Sequence, residues 1–481
     1  MKRFLSFIFA FSTLFVTYAQ QPALQQFINN PALKHASIGV CVRDMTTGKT
    51  IVSYNEDKSL TTASIMKLVT TATALELLGP DYRYETTLAL DANNPSRLLV
   101  MGSGDPTLGT SVFQENPYSF LIEWSQKLQL KLTNVNNLKL YVVDNLFGYS
   151  GISDEWTWVD MGNYFAAGAY GVSVFDNTYR LFFNTTDRNS SPKILRTEPE
   201  VRGLNFTNYL KLNSTGRDNG YIYGAPFSYE RILRGNIPAG RTAFSIKGDI
   251  PDPGLMLGET LAAELGKKGI RVSEVKTAQQ DYISNIGNAN SLNKVNYRVG
   301  EVLHNHQSRP LTDILREVNV ESNNHYAEHL IRTIGRNQSV DIYSDALEEG
   351  IKYVNKHLTE SGISTSSLFM HDGCGLAPQN AASPELFCDL LVHMHNRSNY
   401  AREFFASLPL AGRDGTLKYF MNNTKYNGKV RAKSGSIGGV HCYAGYLIDG
   451  DKRYAFTIMV NKFTGARSTV RKSIEQFIES L

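Results

Sequence analysis

The sequence predicts a mixed α/β (α+β) fold. It consists of an antiparallel sheet with terminal helices on one face, a helical cluster between its halves, and large inserted domains. Three observations carry this. Near the start, Ile38, Val40 and Val42 alternate, Thr47-Gly48 turns the chain, and Lys49 to Tyr54 returns as a hairpin. Near the end, Val430 to Ser436 begins a strand, and Val440, Cys442, Ala444 and Tyr446 alternate along the next. Asp449-Gly450 then turns into Tyr454 to Asn461, and Val470, Ile474, Phe477, Ile478 and Leu481 mark a closing amphipathic helix. Between these ends, from about Tyr82 to about Asp281, the character changes.

The elements follow in order. Lys2-Arg3 precede an apolar stretch from Phe4 to Val16 that ends in Thr17-Tyr18-Ala19, the pattern of a secretory signal over 1–19. That stretch is short for a spanning helix, and no other segment is long and apolar enough to span a bilayer. Leu24, Phe27 and Ile28 suggest a short helix before the first hairpin. After it, Ala63-Ser64-Ile65-Met66-Lys67 leads into an apolar run (Leu68, Val69, Ala72, Ala74, Leu75, Leu77, Leu78) stopped by Gly79-Pro80. A run apolar on nearly every side reads as a helix buried in a core.

The middle divides further. Leu98 to Met101 and Leu138 to Val143 read as strands, Phe120, Leu121, Trp124 and Leu128 as a helix face, and Leu255 to Leu265 as a helix opened by Pro251 and Pro253. Residues 175–250 are rich in Asn, Ser, Thr and aromatics, with short strands such as Tyr221-Ile222-Tyr223. The expected organisation is a discontinuous core (20–81 and 282–481), an inserted α/β domain (82–174 and 251–281) and a nested β-rich domain (175–250). Helical character is expected again from Leu303, through Leu311, Ile314, Leu315 and Val318, and then Ala327, Leu330 and Ile331.

Composition excludes some functions. The formal charge of +4 over 481 residues, which includes Lys2 and Arg3, is too small to argue for nucleic acid or an anionic membrane. Cys41, Cys374, Cys388 and Cys442 are too few for a disulfide scaffold, and their spacing suggests no metal site. Export permits a disulfide, but the sequence does not pair them.

The chemistry starts at Ser64. Lys67 lies one turn on, on the same face. A lysine buried in the first turn of a core helix is costly without partners, and a serine at a helix N-terminus sees partial positive charge. Each supplies what the other needs: a nucleophile, and an amine to take its proton. The bland alternative is an N-cap serine beside a solvated lysine. Two further boxes follow, Ser322-x-Asn324 and Lys433-Ser434-Gly435. The ordered set is similar to the trio of class A β-lactamases and penicillin-binding proteins, which has Thr in the third box.

With these boxes, the chain resembles the class C low-molecular-mass penicillin-binding proteins, the D-alanyl-D-alanine carboxypeptidase/endopeptidase family. The segments Gly104-Asp105-Pro106-Thr107-Leu108, Asp372-Gly373-Cys374-Gly375-Leu376, Asp414-Gly415-Thr416-Leu417 and Arg431-Ala432-Lys433-Ser434-Gly435-Ser436 add to the likeness. The resemblance implies a penicillin-binding-protein/serine β-lactamase-like transpeptidase core. Its implied catalytic residues are Ser64, Lys67 and Ser322. Asn324, Lys433, Ser434 and Ser436 would bind substrate, with Lys433 and Ser434 on its terminal carboxylate and the Ser64 and Ser436 amides as oxyanion hole. Two positions depart from the pattern: Ser434 where Thr is commoner, and Cys374 where Ser is frequent.

The implied partners are peptidoglycan stem peptides and β-lactam antibiotics, with no cofactor. The implied location is exported, periplasmic or extracellular, soluble or peripherally attached to the cell wall. Other readings stand beside this one. Ser322 and Asn324 could cap the following helix, and Lys433 could be a surface lysine on an edge strand. His325-x-x-Glu328-His329 matches an inverted zinc-peptidase motif. A non-catalytic peptidoglycan binder would keep the fold without the chemistry.

Overall fold

The computed structural model describes residues 21–132, 137–148, 150–284, 297–338 and 345–481. The signal expected at 1–19 lies outside them. Among the described residues, no helix is long and apolar enough to cross a membrane. The chain divides into two compact units. One comprises Met1–Asp81, Leu311–Ile331 and Ile351–Leu481; the other comprises Tyr82–Pro310 and Arg332–Gly350.

The first unit is built on a five-stranded antiparallel sheet. Its order is Val430–Ile437, Val440–Asp449, Lys452–Asn461, Ser37–Asp44, Thr50–Tyr54, so the last strand lies beside the first. Ser37 faces Asn461 and Asp44 faces Tyr454 in an unbroken register. Period-2 alternation sends Ile38, Val40 and Val42 to one face. There they pack with Leu24 and Phe27 from the helix over 21–28, and with Val470, Ile474 and Phe477 from Arg467–Glu479. This is the sheet with terminal helices read from the sequence.

The other face carries the helical cluster: Lys67–Leu78, Leu311–Val320, Pro384–Asn396 and Ala401–Ser407. Arg43, on the opposite face of its strand from Val42, reaches Glu385 and Asp389 of Pro384–Asn396. All four cysteines are buried with free thiols. Cys41 and Cys442 sit within the sheet, and Cys388 reaches the Cys41 carbonyl at 3.3 Å.

Glu76, in the last turn of Lys67–Leu78, accepts from His357 (2.7 Å) and His393 (3.3 Å). Burial opposes ionisation, but the bonds from His357, His393 and Ser398 hold its carboxyl well below the usual carboxylate range. A depressed pKa stabilises the fold above the unfolded value and loses that contribution as pH falls through the folded one. Glu76→Gln should therefore cost about 1–3 kcal/mol at neutral pH. Urea denaturation should show the gap between variant and parent closing as pH falls from 5 toward 3.

The second unit has a mixed sheet in the order Val272–Thr277, Leu138–Val143, Asn94–Met101, Glu85–Asp91, Val299–Gln307. The first three strands are parallel, and Glu85–Asp91 is antiparallel to both its neighbours. Helices Ser119–Lys131 and Pro253–Lys267 supply Trp124, Leu128, Leu257 and Leu261 to its core. A three-stranded sheet (Phe244–Asp249, Thr178–Asn184, Lys193–Glu198) follows. A four-stranded sheet is built around Glu230–Pro238.

Two expectations differ from what is observed. The segment before Pro310, assigned to the first unit and read as helical from Leu303, is the strand Val299–Gln307, paired with Glu85–Asp91. It is an edge strand rich in exposed polar residues, so it lacks the alternation that marks a strand. The β-rich stretch 175–250 has no core of its own. Tyr179, Leu181, Ile222 and Leu233 belong to the same apolar cluster as Trp124 and Leu140.

Candidate active site

Ser64 sits in a 3-10 turn, Ala63–Met66, that runs directly into the α-helix Lys67–Leu78. The tighter turn replaces the α-helical N-terminus read from the sequence. Ala63 holds a φ of 45°, and Ser322 a φ of 61°. Non-glycine residues in this region store strain, which concentrates where function over-determines geometry.

Lys67 is fully buried. Its Nζ donates to Ser64 Oγ at 3.1 Å, to Asn324 Oδ1 at 2.7 Å and to the Cys374 carbonyl at 2.6 Å. An ammonium has three protons, and here each has an acceptor. Once neutral, the amine can keep its bonds to Asn324 and Cys374 and turn its lone pair on the Ser64 hydroxyl. Burial pushes the Lys67 pKa down, and the nearby Cys374, Asp372 and Glu328 oppose that shift.

Asn324 opens the helix Asn324–Gln338, but Asn323 is the residue that caps it, its Oδ1 accepting from the Tyr326 amide at 3.1 Å. Ser322 and Asn324 turn instead toward the two lysines. Ser322 is implied by the family resemblance to act with Ser64 and Lys67. In the structure its hydroxyl accepts from Lys433 Nζ at 2.9 Å.

Lys433 is not a surface lysine. It is fully buried, it also donates to the Ser434 carbonyl at 2.8 Å, and burial together with the Lys67 charge drives its pKa well down. Its strand, Val430–Ile437, forms one edge of the sheet. The strand passes so close to the Ser64 turn that a Cβ on Gly435 would lie 3.1 Å from the Ser64 amide nitrogen and 2.7 Å from the Thr62 carbonyl. Ser434 and Ser436 are half-buried on either side, and the Ser436 hydroxyl has no hydrogen-bond partner among the described residues.

The structure also brings in residues to which sequence reasoning gave no role. Asp372 folds the segment after it into a tight loop. Its carboxylate accepts from the amides of Cys374 (3.2 Å), Gly375 (2.6 Å) and Ala377 (2.6 Å) and from Asn380 Nδ2 (2.8 Å). That loop presents the Cys374 carbonyl to Lys67, and its Gly373 carbonyl to Thr70 Oγ1 at 2.6 Å. Asn461 bonds both backbone groups of Thr61, tying the end of the last strand to the segment that enters the Ser64 turn. The only sequence signal for the loop was the Asp372-Gly373-Cys374-Gly375 string, which carried family likeness but no role.

The zinc reading needs His325 and His329 to converge with a third donor. Among the described residues, the group whose metal-ligating atoms converge is Glu328, Asp372 and Cys374, without either histidine. Glu328 accepts from the Gly373 amide, Asp372 accepts from loop donors, and burial pushes the Cys374 thiol well up, away from thiolate. The cation these groups face is Lys67, so the donor set does not fit a zinc peptidase.

Residues 20–481 match the D-Ala-D-Ala carboxypeptidase 3 (S13) family. The chain belongs to this family. It is a serine-type D,D-carboxypeptidase by descent, as its motifs suggested. This S13 peptidase is 26% identical over 461 residues to a D-alanyl-D-alanine carboxypeptidase of Actinomadura sp. (strain R39), covering 92% of this chain and 81% of that one. It is 22% identical over 470 residues to D-alanyl-D-alanine carboxypeptidase DacB of Haemophilus influenzae, covering 93% and 90%. Its fold is similar to the crystal structure of penicillin binding protein 4 (dacB) from that organism. The TM-score is 0.74 at 20% identity, covering 94% of this chain and 97% of that one.

Proposed function

We propose that this S13 peptidase cleaves peptidoglycan stem peptides through a Ser64 acyl-enzyme, releasing terminal D-alanine or opening a D-Ala cross-link. The observation that carries the reading is the buried Lys67 amine. It lies on Ser64 Oγ and is anchored by Asn324 and the Cys374 carbonyl.

Neutral Lys67 takes the Ser64 proton as Oγ attacks the scissile carbonyl. Amides of Ser64 and Ser436 receive the oxyanion. The leaving amine takes up a proton by way of Ser322, whose hydroxyl is held by Lys433. Lys433 and Ser434 bind the terminal carboxylate by charge-assisted bonds. Asn324 holds Lys67 and the substrate amide, and water then releases the acyl group.

Penicillins acylate the same serine, because their strained amide mimics the D-Ala-D-Ala bond. The family relative from H. influenzae has been seen complexed with a β-lactam. Export to the periplasm or beyond rests on the Lys2-Arg3 and Phe4 to Val16 pattern.

The test is intact mass after incubation with a penicillin, run beside Ser64→Ala. A persistent one-to-one adduct present in the parent and absent from the variant is the expected result. No adduct on folded parent protein would sink the serine mechanism.

A further inference from the structure

The helix Asn324–Gln338 carries a glutamate that the proposed reaction does not use. Glu328 is fully buried, although Glu is among the residues least often buried without a partner. Its Oε1 accepts from the Gly373 amide at 2.7 Å, and it also bonds the Cys374 thiol. Gly373 and Cys374 are the loop residues whose carbonyls hold Thr70 and Lys67. Helix, loop and lysine thus form one connected path. Glu328 holds the loop from behind, Asp372 closes it, and the Cys374 carbonyl fixes the amine.

We propose that Glu328 is a positioning residue for Lys67. It anchors the Gly373-Cys374 backbone that holds the amine, and with Asp372 it supplies the buried negative charge against which Lys67 keeps or releases its proton. The inference rests on Lys67 being the base for Ser64. It also accounts for the glutamate of the His325-x-x-Glu328-His329 string without metal, since that carboxylate bonds the Gly373 amide.

The charged and titratable groups around the amine define the expected sign. Asp372, Glu328 and Cys374 face Lys67 from the loop and from this helix, and Lys433 faces it from the strand. The Glu328 helix itself also carries His325, His329 and Arg332. Removing one negative charge makes protonated Lys67 less stable, so the neutral amine persists to lower pH.

Glu328→Gln keeps an acceptor for the Gly373 amide and removes the charge. The measurement is the rate of penicillin acylation against pH, for parent and variant, with thermal melting as a check on folding. The acid limb of the variant should move down by about one pH unit. On that limb its rate, relative to its own plateau, is then about tenfold higher than the parent's.

A uniform fall at every pH with an unmoved limb would mean that Glu328 only supports the fold, and would overturn the proposal. Should Glu328→Gln fail to fold, Glu328→Asp keeps the charge but draws it back by one methylene. Its limb should move in the same direction by less, and an unmoved limb overturns the proposal equally. Failure of the serine reading looks different: folded parent protein would form no adduct, or Ser64→Ala would form one.

Discussion

Lys67→Met should slow penicillin acylation of Ser64 by about 10²–10⁴-fold, the range lost with a positioned general base. Methionine nearly matches the lysine in length, so the helix keeps its packing. What disappears is the proton acceptor, and with it the donors to Asn324 and the Cys374 carbonyl. Stopped-flow acylation with a chromogenic β-lactam reads the effect directly. A second signature follows from charge. The Lys433 amine is held down by burial and by the Lys67 charge, so without Lys67 it becomes easier to protonate. A variant that acylates within a fewfold of the parent would remove Lys67 from the mechanism.

Gly375→Ala should be comparably damaging for a steric reason. Gly375 has a φ of 80°, and a Cβ there would lie 2.0 Å from the Ala63 carbonyl oxygen and 3.1 Å from the Ser64 amide nitrogen. The neighbour is backbone, and it is the backbone of the Ser64 turn. Relief requires the loop or the turn to move, and a displacement of about 1 Å at a reacting group costs about 100-fold in rate. Gly48 provides the control. Its φ is 71°, but nothing lies within 4 Å of a Cβ built there. Gly48→Ala should lose only the left-handed backbone cost, about 1–2 kcal/mol, with acylation unchanged. Gly375→Ala should lose more stability and fall at least about 100-fold in acylation. Equal behaviour of the two variants would refute the close contact between loop and turn.

The sequence revealed those parts of the site that one helical turn or one strand brings together. Ser64 and Lys67 are three residues apart on one face, Ser322 and Asn324 flank a helix start, and Lys433 and Ser434 share a strand. Such spacings are local and leave a trace in the order of residues. Glu328 and Asn461 act through hydrogen bonds between segments distant in sequence, and the loop that Asp372 closes meets Lys67 from 307 residues away; no periodicity records such contacts. The same limit applied to the fold. Strands with an apolar alternation, such as Val440–Asp449, could be read directly. Val299–Gln307, an edge strand whose second half is His304-Asn305-His306-Gln307, could not. The stretch 175–250 was legible as β-rich from its composition. Its shared core was hidden, because that depends on which distant side chains it meets.

The order of strands in the first sheet bears on when the protein becomes reactive. Ser37–Asp44 emerges early in synthesis, yet one of its two neighbours is Lys452–Asn461, and Asn461 binds Thr61 from 400 residues away. The strand that carries Lys433 joins the same sheet only through these late segments. A nascent chain therefore has Ser64 long before it has a site. Contacts this distant must wait until the 400 positions that separate Thr61 from Asn461 have been made. Translation stopped short of Lys452–Asn461 leaves Ser64 without the strand that joins Val430–Ile437 and Val440–Asp449 to Ser37–Asp44. The connectivity acts as a timer: the Ser64 turn is tied into the sheet only once the strand ending at Asn461 has been made.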